Sequence, residues 1–170
     1  RNPWCVHRMT KSRNRVVIGV DSGVKGSLTI GSLPDLSDAE IFTTQTTSEL
    51  IEIIEGLVDE AESDQSLVAI VENPPPFAGN FKVPSSSIYK LGVSFGEITG
   101  IIRAFKIPLH LVRPRDWQKG IPGLTKLKGY PRKRALADHA KRLFPHLPIT
   151  VRNADSVLIL NHFFSQPVNP

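Results

Sequence analysis

A single cysteine, Cys5, excludes an internal disulfide framework, and the histidines at 7, 110, 139, 146 and 162 show no zinc-ligand spacing. A reducing, cytoplasmic compartment is the expectation. No apolar run approaches the ~20 residues that a membrane span needs, and the N-terminus lacks the apolar stretch of a secretory signal. A soluble protein is expected. Internal repeats and low-complexity tracts are absent too, which excludes repeat architectures.

What is present is enough apolar material, 40% over 170 residues, to build one sizeable core. The expected organisation is a flexible or accessory leader over 1–14, one domain over 15–165 and a short tail over 166–170. Charge is unevenly spread around a net +5. Asp35 to Glu72 is acidic, whereas the cations from Arg103 to Arg152 are opposed only by Asp116 and Asp138. A basic half of this kind fits a polyanionic partner.

Apolar periodicity orders the elements. Arg15 to Asp21 and Ser27 to Gly31 form β-branched runs on either side of a glycine-punctuated turn, which predicts a hairpin, and Ala39 to Thr44 supplies a third strand. Thr46 and Glu49 form a capping box ahead of a helix with Leu50, Ile51, Ile53, Ile54, Leu57 and Val58 on one face. Ser66 to Glu72 is nearly continuously apolar, as a central strand buried on both faces should be. Pro74 to Pro76 ends it.

Ser85 to Ser87 then caps a long helix to about Phe105, with Ile88, Leu91, Phe95, Ile98 and Ile102 on its expected buried side. Gly92, Gly96 and Gly100 leave a bare stripe along it. Pro108 to Val112 is a fifth strand, Pro131 starts a helix with Leu136, Ala140, Leu143 and Phe144, and Ala154 to Phe164 is the last helix. The fold class is α/β, with elements in the order βββαβαβαα.

Asp21 and Glu72 each end an apolar strand, so neighbouring strands would bring both carboxylates to one sheet edge, where ligands gather in open α/β sheets. Either acid alone has the plain explanation of a turn residue. Asp155 opens the last helix, where an acid also complements the helix dipole. Three clustered carboxylates repel unless cations bind among them, and hard oxygen ligands suit Mg2+ or Mn2+. Phosphodiester hydrolysis gives such a cluster a purpose, since one or two divalent ions can drive an in-line displacement.

Val20-Asp21-Ser22-Gly23 after a strand, Val71-Glu72 ending a central strand and Ala154-Asp155 opening a terminal helix together resemble the RuvC-type Holliday junction resolvases and their chloroplast and phage relatives. The resemblance runs from Arg15 to Phe164; its motifs are short, and their order and spacing carry it. It implies an RNase H-like mixed five-stranded sheet flanked by helices, a metal-dependent endonuclease acting on branched DNA, and a homodimer. Asp21, Glu72 and Asp155 would be the catalytic metal ligands, for one or two ions per site. The family usually places another Asp or a His three residues before the last acid. Arg152 stands there in this chain, with Asn153 beside it offering an amide oxygen, so the second metal site is left open.

Groups that could hold DNA flank these acids. Phe77 and Phe81, after Glu72, could stack on bases exposed at a branch, for ~1 to 3 kcal/mol each, or fold back onto the core; the resemblance favours stacking. Lys82, Arg113, Arg115, Lys119, Lys126, Lys128, Arg132, Lys133 and Arg134 are candidate phosphate contacts, the last few at a helix N-terminus that itself favours anions. Trp117 is expected to anchor its loop by packing.

Other readings share these features. Ile18 to Gly26 also resembles the phosphate-binding hairpin of sugar kinases and actin-like ATPases, but those proteins need two such domains and a second phosphate loop. A ribonuclease H shares the chemistry. A non-catalytic branched-DNA binder would keep the basic half and lack a working metal site.

Overall fold

The computed structural model describes residues 15–24, 26–32, 36–43, 46–61, 66–74 and 84–165. Phe77, Phe81, Lys82, the leader and the tail lie outside the described residues. The elements are β1 (Val16–Asp21), β2 (Ser27–Ser32), β3 (Glu40–Thr43), α1 (Thr47–Glu60), β4 (Leu67–Glu72), α2 (Ser85–Ala104), β5 (Leu109–Val112), α3 (Pro114–Trp117), α4 (Gly129–Leu143) and α5 (Ala154–Phe164). The order matches the sequence expectation except for α3, a single turn begun by Pro114, and a 3-10 turn over Leu124–Lys126. One turn is too short to show a helical period.

The five strands form one sheet in the order β3-β2-β1-β4-β5. β1 pairs antiparallel with β2 and β2 with β3, while β1, β4 and β5 run parallel. Alternation along β1 divides the core. Val16, Ile18 and Val20 pack on one face with Leu50, Ile53, Ile54 and Leu57 of α1 and Ile102 of α2. Val17 packs on the other with Val68 and Ile70 of β4, Leu136 and Ala140 of α4, and Val157 to Leu160 of α5. The expected capping box of α1 is present, with Thr46 and Glu49 bonding each other's backbone N–H groups.

Two expectations for α2 are corrected. Its N-cap position is Pro84, without a side-chain cap, and the three serines form its first turn. Only its C-terminal half meets the core: Thr99 and Ile102 are buried, whereas Ile88 and Val93 are 43% and 40% exposed. The helix ends in a Schellman arrangement, with Ile107 and Lys106 N–H groups donating to Ile102 and Arg103 carbonyls and Lys106 in the left-handed region. Leu143, at the end of α4, is 43% exposed.

Helix α5 crosses β1, β2 and β4, and β1 gives it room only because residue 19 has no side chain. A Cβ on Gly19 would stand 2.6 Å from Leu160 Cγ and 2.7 Å from the Ser156 carbonyl oxygen. The neighbouring buried hydroxyls complete the contact: Ser27 donates to Ser156 Oγ at 2.8 Å, Thr29 shares a 2.7 Å bond with it, and Ser156 donates to the Asn153 carbonyl. Gly19→Ala is expected to push α5 off the sheet and cost ~1–3 kcal/mol, the usual scale of overpacking. Denaturant unfolding measures this; an unchanged midpoint would show that α5 does not rest on that backbone.

Candidate active site

The parallel pairing of β1 with β4 ends at Val20 opposite Val71, so the next residues, Asp21 and Glu72, emerge side by side at the C-terminal edge. By alternation both lie on the α5 face. Asp155, in the first turn of α5, comes down on the same edge. Ser22, itself buried, donates to the Glu72 carbonyl oxygen at 2.9 Å and locks the two strand ends together. Gly26 closes the hairpin above: its N–H donates to the Gly23 carbonyl at 2.7 Å, and any Cβ would collide with the Asp21 carbonyl.

The three acids share one field. Burial, then the charges of Asp21 and Asp155, push the Glu72 carboxyl up to about 7, against the hydrogen bond from Trp117 and the charge of Lys133. Burial and Asp21 raise Asp155 to about 6, with Lys133 and Arg132 opposing. Asp21 is raised by burial, offset by the Gly23 N–H, 3.0 Å from Oδ1, and by Lys133. Among the described residues the exposed Lys133 of α4 is thus the one cation that acts on all three.

These carboxylates, all hard oxygen donors whose mutual repulsion a cation would relieve, suit a divalent ion in chemistry. Their placement is not yet a cage: among the described residues no group of three acid, His or Cys side chains stands ready to hold a metal ion. The two observations concern different ranges, since charges act over distances at which oxygens cannot share an ion. Ligation would therefore require the side chains to draw closer.

Asn153 does not join them. Its Oδ1 accepts from the Thr150 N–H at 2.7 Å and its Nδ2 donates to the Pro148 carbonyl at 3.2 Å, so the buried amide organises the turn into α5. Arg152 is exposed. The candidate DNA contacts also divide. Arg132 donates to the Leu124 carbonyl at 2.8 Å and to Gln118 Oε1, bracing α4 against the segment after α3. Arg113 grips Asp116 through two bonds of 2.6 and 3.2 Å, and Arg115 approaches the same acid at 3.8 Å. Lys119, Lys126, Lys128, Lys133 and Arg134 are exposed.

One contact escaped the sequence reading. Trp117, buried as expected, also donates its indole N–H to Glu72 Oε2 at 2.7 Å. The available signal was chemical: a buried tryptophan needs an acceptor for its N–H.

This geometry has counterparts among solved structures. RuvC of Thermus thermophilus in complex with a Holliday junction substrate superposes with a TM-score of 0.57 at 18% identity, covering 88% of this chain and 93% of that one. A second structure of Thermus thermophilus RuvC gives 0.50 at 19% identity, with the same coverage. No protein-family model matches the sequence, and neither does any curated protein sequence. The chain has the RNase H-like fold of RuvC, a mixed five-stranded sheet with helices on both faces. At this identity the likeness speaks for the fold.

The raised carboxyls make stability depend on pH. A carboxyl whose folded pKa lies above its unfolded value contributes most below the unfolded value, and that contribution is lost as pH rises through the folded one. For Glu72 the window runs from its ordinary 4.5 to about 7. Glu72→Gln removes the titration, so in chelator its stability relative to wild type is expected to climb across that window, by on the order of 1–3 kcal/mol. Melting temperatures of both proteins from acid to mildly alkaline pH test this; parallel curves would contradict it.

Proposed function

We propose that the protein is a divalent-metal-dependent endonuclease that hydrolyses phosphodiester bonds in branched DNA, with a four-way junction as substrate. The observation that carries the reading is the convergence of Asp21, Glu72 and Asp155 on one sheet edge beside Lys133. These three carboxylates would hold Mg2+ or Mn2+. A divalent ion there supplies the Lewis acidity that phosphodiester hydrolysis needs. Lys133 would meet the negative charge of the scissile phosphate.

Lys119, Lys126, Lys128 and Arg134 extend the cationic surface toward backbone phosphates, contacts that set position rather than sequence. Arg113 and Arg115 contribute through exchange with Asp116, because exposed ion pairs are weakly held. Phe77 and Phe81, with Lys82, follow Glu72 in the chain and would engage bases at the branch. Cutting two strands of a junction calls for two sites, and a homodimer provides them. The exposed side of α2, with Ile88, Tyr89 and Val93 beside the glycine stripe, is its proposed surface.

A second reading, a branched-DNA binder without cleavage, draws on the commitment of the Asn153 amide to its own turn and on the absence of a ready-made ligand group among the described residues. Strand cleavage of a synthetic four-way junction with Mg2+ or Mn2+ separates the two. Wild type is expected to cut the junction in preference to linear duplex and to an RNA–DNA hybrid, and Asp21→Asn and Glu72→Gln to bring cutting to background. Lys133→Ala should slow cleavage by roughly 10²-fold, the scale of one lost electrostatic contact to developing charge. A pure wild-type protein that binds the junction but never cuts it would establish the binder. Preference for the hybrid would establish a ribonuclease.

A further inference from the structure

Trp117 occupies an unusual position for a core residue. It lies at the end of α3, only 3% exposed, and packs into the cluster formed by α4, α5 and β4. Its polar edge nevertheless points out of that cluster, at the carboxylate of Glu72, 2.7 Å away and 45 residues distant in sequence. The bond engages one oxygen, Oε2, and leaves Oε1 without a protein donor among the described hydrogen bonds.

The ring is itself held. Arg113 caps α3 and bonds Asp116 within it, the Trp117 N–H donates to the Arg113 carbonyl, and the next residue, Gln118, accepts from the Arg132 guanidinium of α4. An indole ring only 3% exposed, on a backbone held on either side, has little freedom to turn. A hydrogen bond from such a donor fixes the direction of a glutamate whose side chain would otherwise sample several rotamers. Asp21 is steadied in the same manner by the Gly23 N–H, on a single oxygen.

We propose that Trp117 is a positioning residue for metal binding, holding Glu72 through Oε2 and leaving Oε1 for the ion that Asp21 and Asp155 would draw in to share. The inference rests on the carboxylate-site reading above and adds to it a group that touches neither metal nor DNA. Hydrogen-bond partners of metal-ligating carboxylates typically contribute 10- to 100-fold to metal affinity or activity. Loss of the indole N–H alone should therefore weaken Mn2+ binding roughly 10- to 100-fold while junction binding in chelator stays unchanged.

The experiment counts bound Mn2+ by the electron paramagnetic resonance signal of the free ion, in wild type, Trp117→Phe and a protein carrying 3-benzothienylalanine at 117. The last keeps the ring's size and replaces only the N–H with sulfur, so it remains informative if Trp117→Phe unfolds. Trp4 and Trp117 are the two tryptophans, and Trp4→Phe leaves Trp117 as the sole tryptophan, whose emission, excited beyond the tyrosine absorption, should change in step with Mn2+ occupancy. Weakened binding in the benzothienyl protein at unchanged melting temperature supports the proposal. Wild-type affinity in that protein, or an emission indifferent to occupancy, overturns it and leaves the nuclease reading standing. No Mn2+ bound by wild type overturns both.

Discussion

At Gly19 the central strand presents bare backbone to α5, and the helix settles close enough that no side chain could intervene. That approach determines where Asp155 arrives, because the helix begins at Ala154, just before the Ser156 carbonyl that touches the strand. The buried hydroxyls of Ser27, Thr29 and Ser156 then hold the helix in register. Their arrangement uses each group in full: two hydroxyls donate, and the third accepts both and donates onward to a backbone carbonyl. Interfaces of this kind tolerate little sliding, since a shift would leave polar atoms unpaired in a dry interior.

The same rigidity explains why the acids can be held together at all. Three carboxyls brought to one half-buried edge repel each other, and side chains on mobile loops would separate. Here each is rooted in a strand end or a helix start, and the scaffold bears the electrostatic cost. Opposing it are the ammonium of Lys133, the guanidinium of Arg132 and two N–H donors, from Gly23 and Trp117. The edge is therefore a place of concentrated negative potential maintained against solvation, the condition under which a bound cation has most to offer.

Much of this was legible in the sequence, and the reasons differ by element. β1 and β4 declared themselves through apolar runs that end in acids, and the α1 start through the Thr46–Glu49 pair, because in each case the determining contacts are local. The buried face of α2 misled. Its apolar periodicity is real, yet Ile88 is 43% exposed, and periodicity cannot say whether a face is covered. Asn153 was a plausible ligand by composition and is a turn residue by geometry, its amide satisfied within the segment that precedes it. The Trp117–Glu72 bond could not be read at all without the third dimension, since it depends on β4 and β5 being parallel neighbours.

Helix α2 and strand β4 bracket the chain between Pro74 and Pro84, one end fastened at the carboxylate edge and the other at the exposed start of the helix. The ends of that stretch are thus tied to two different environments: one set by the sheet, the other by whatever lies against Ile88 and Tyr89. The middle of α2, through Ser94 and Glu97, lines the same hollow as Asp21, so the helix whose start is exposed also borders the acid edge.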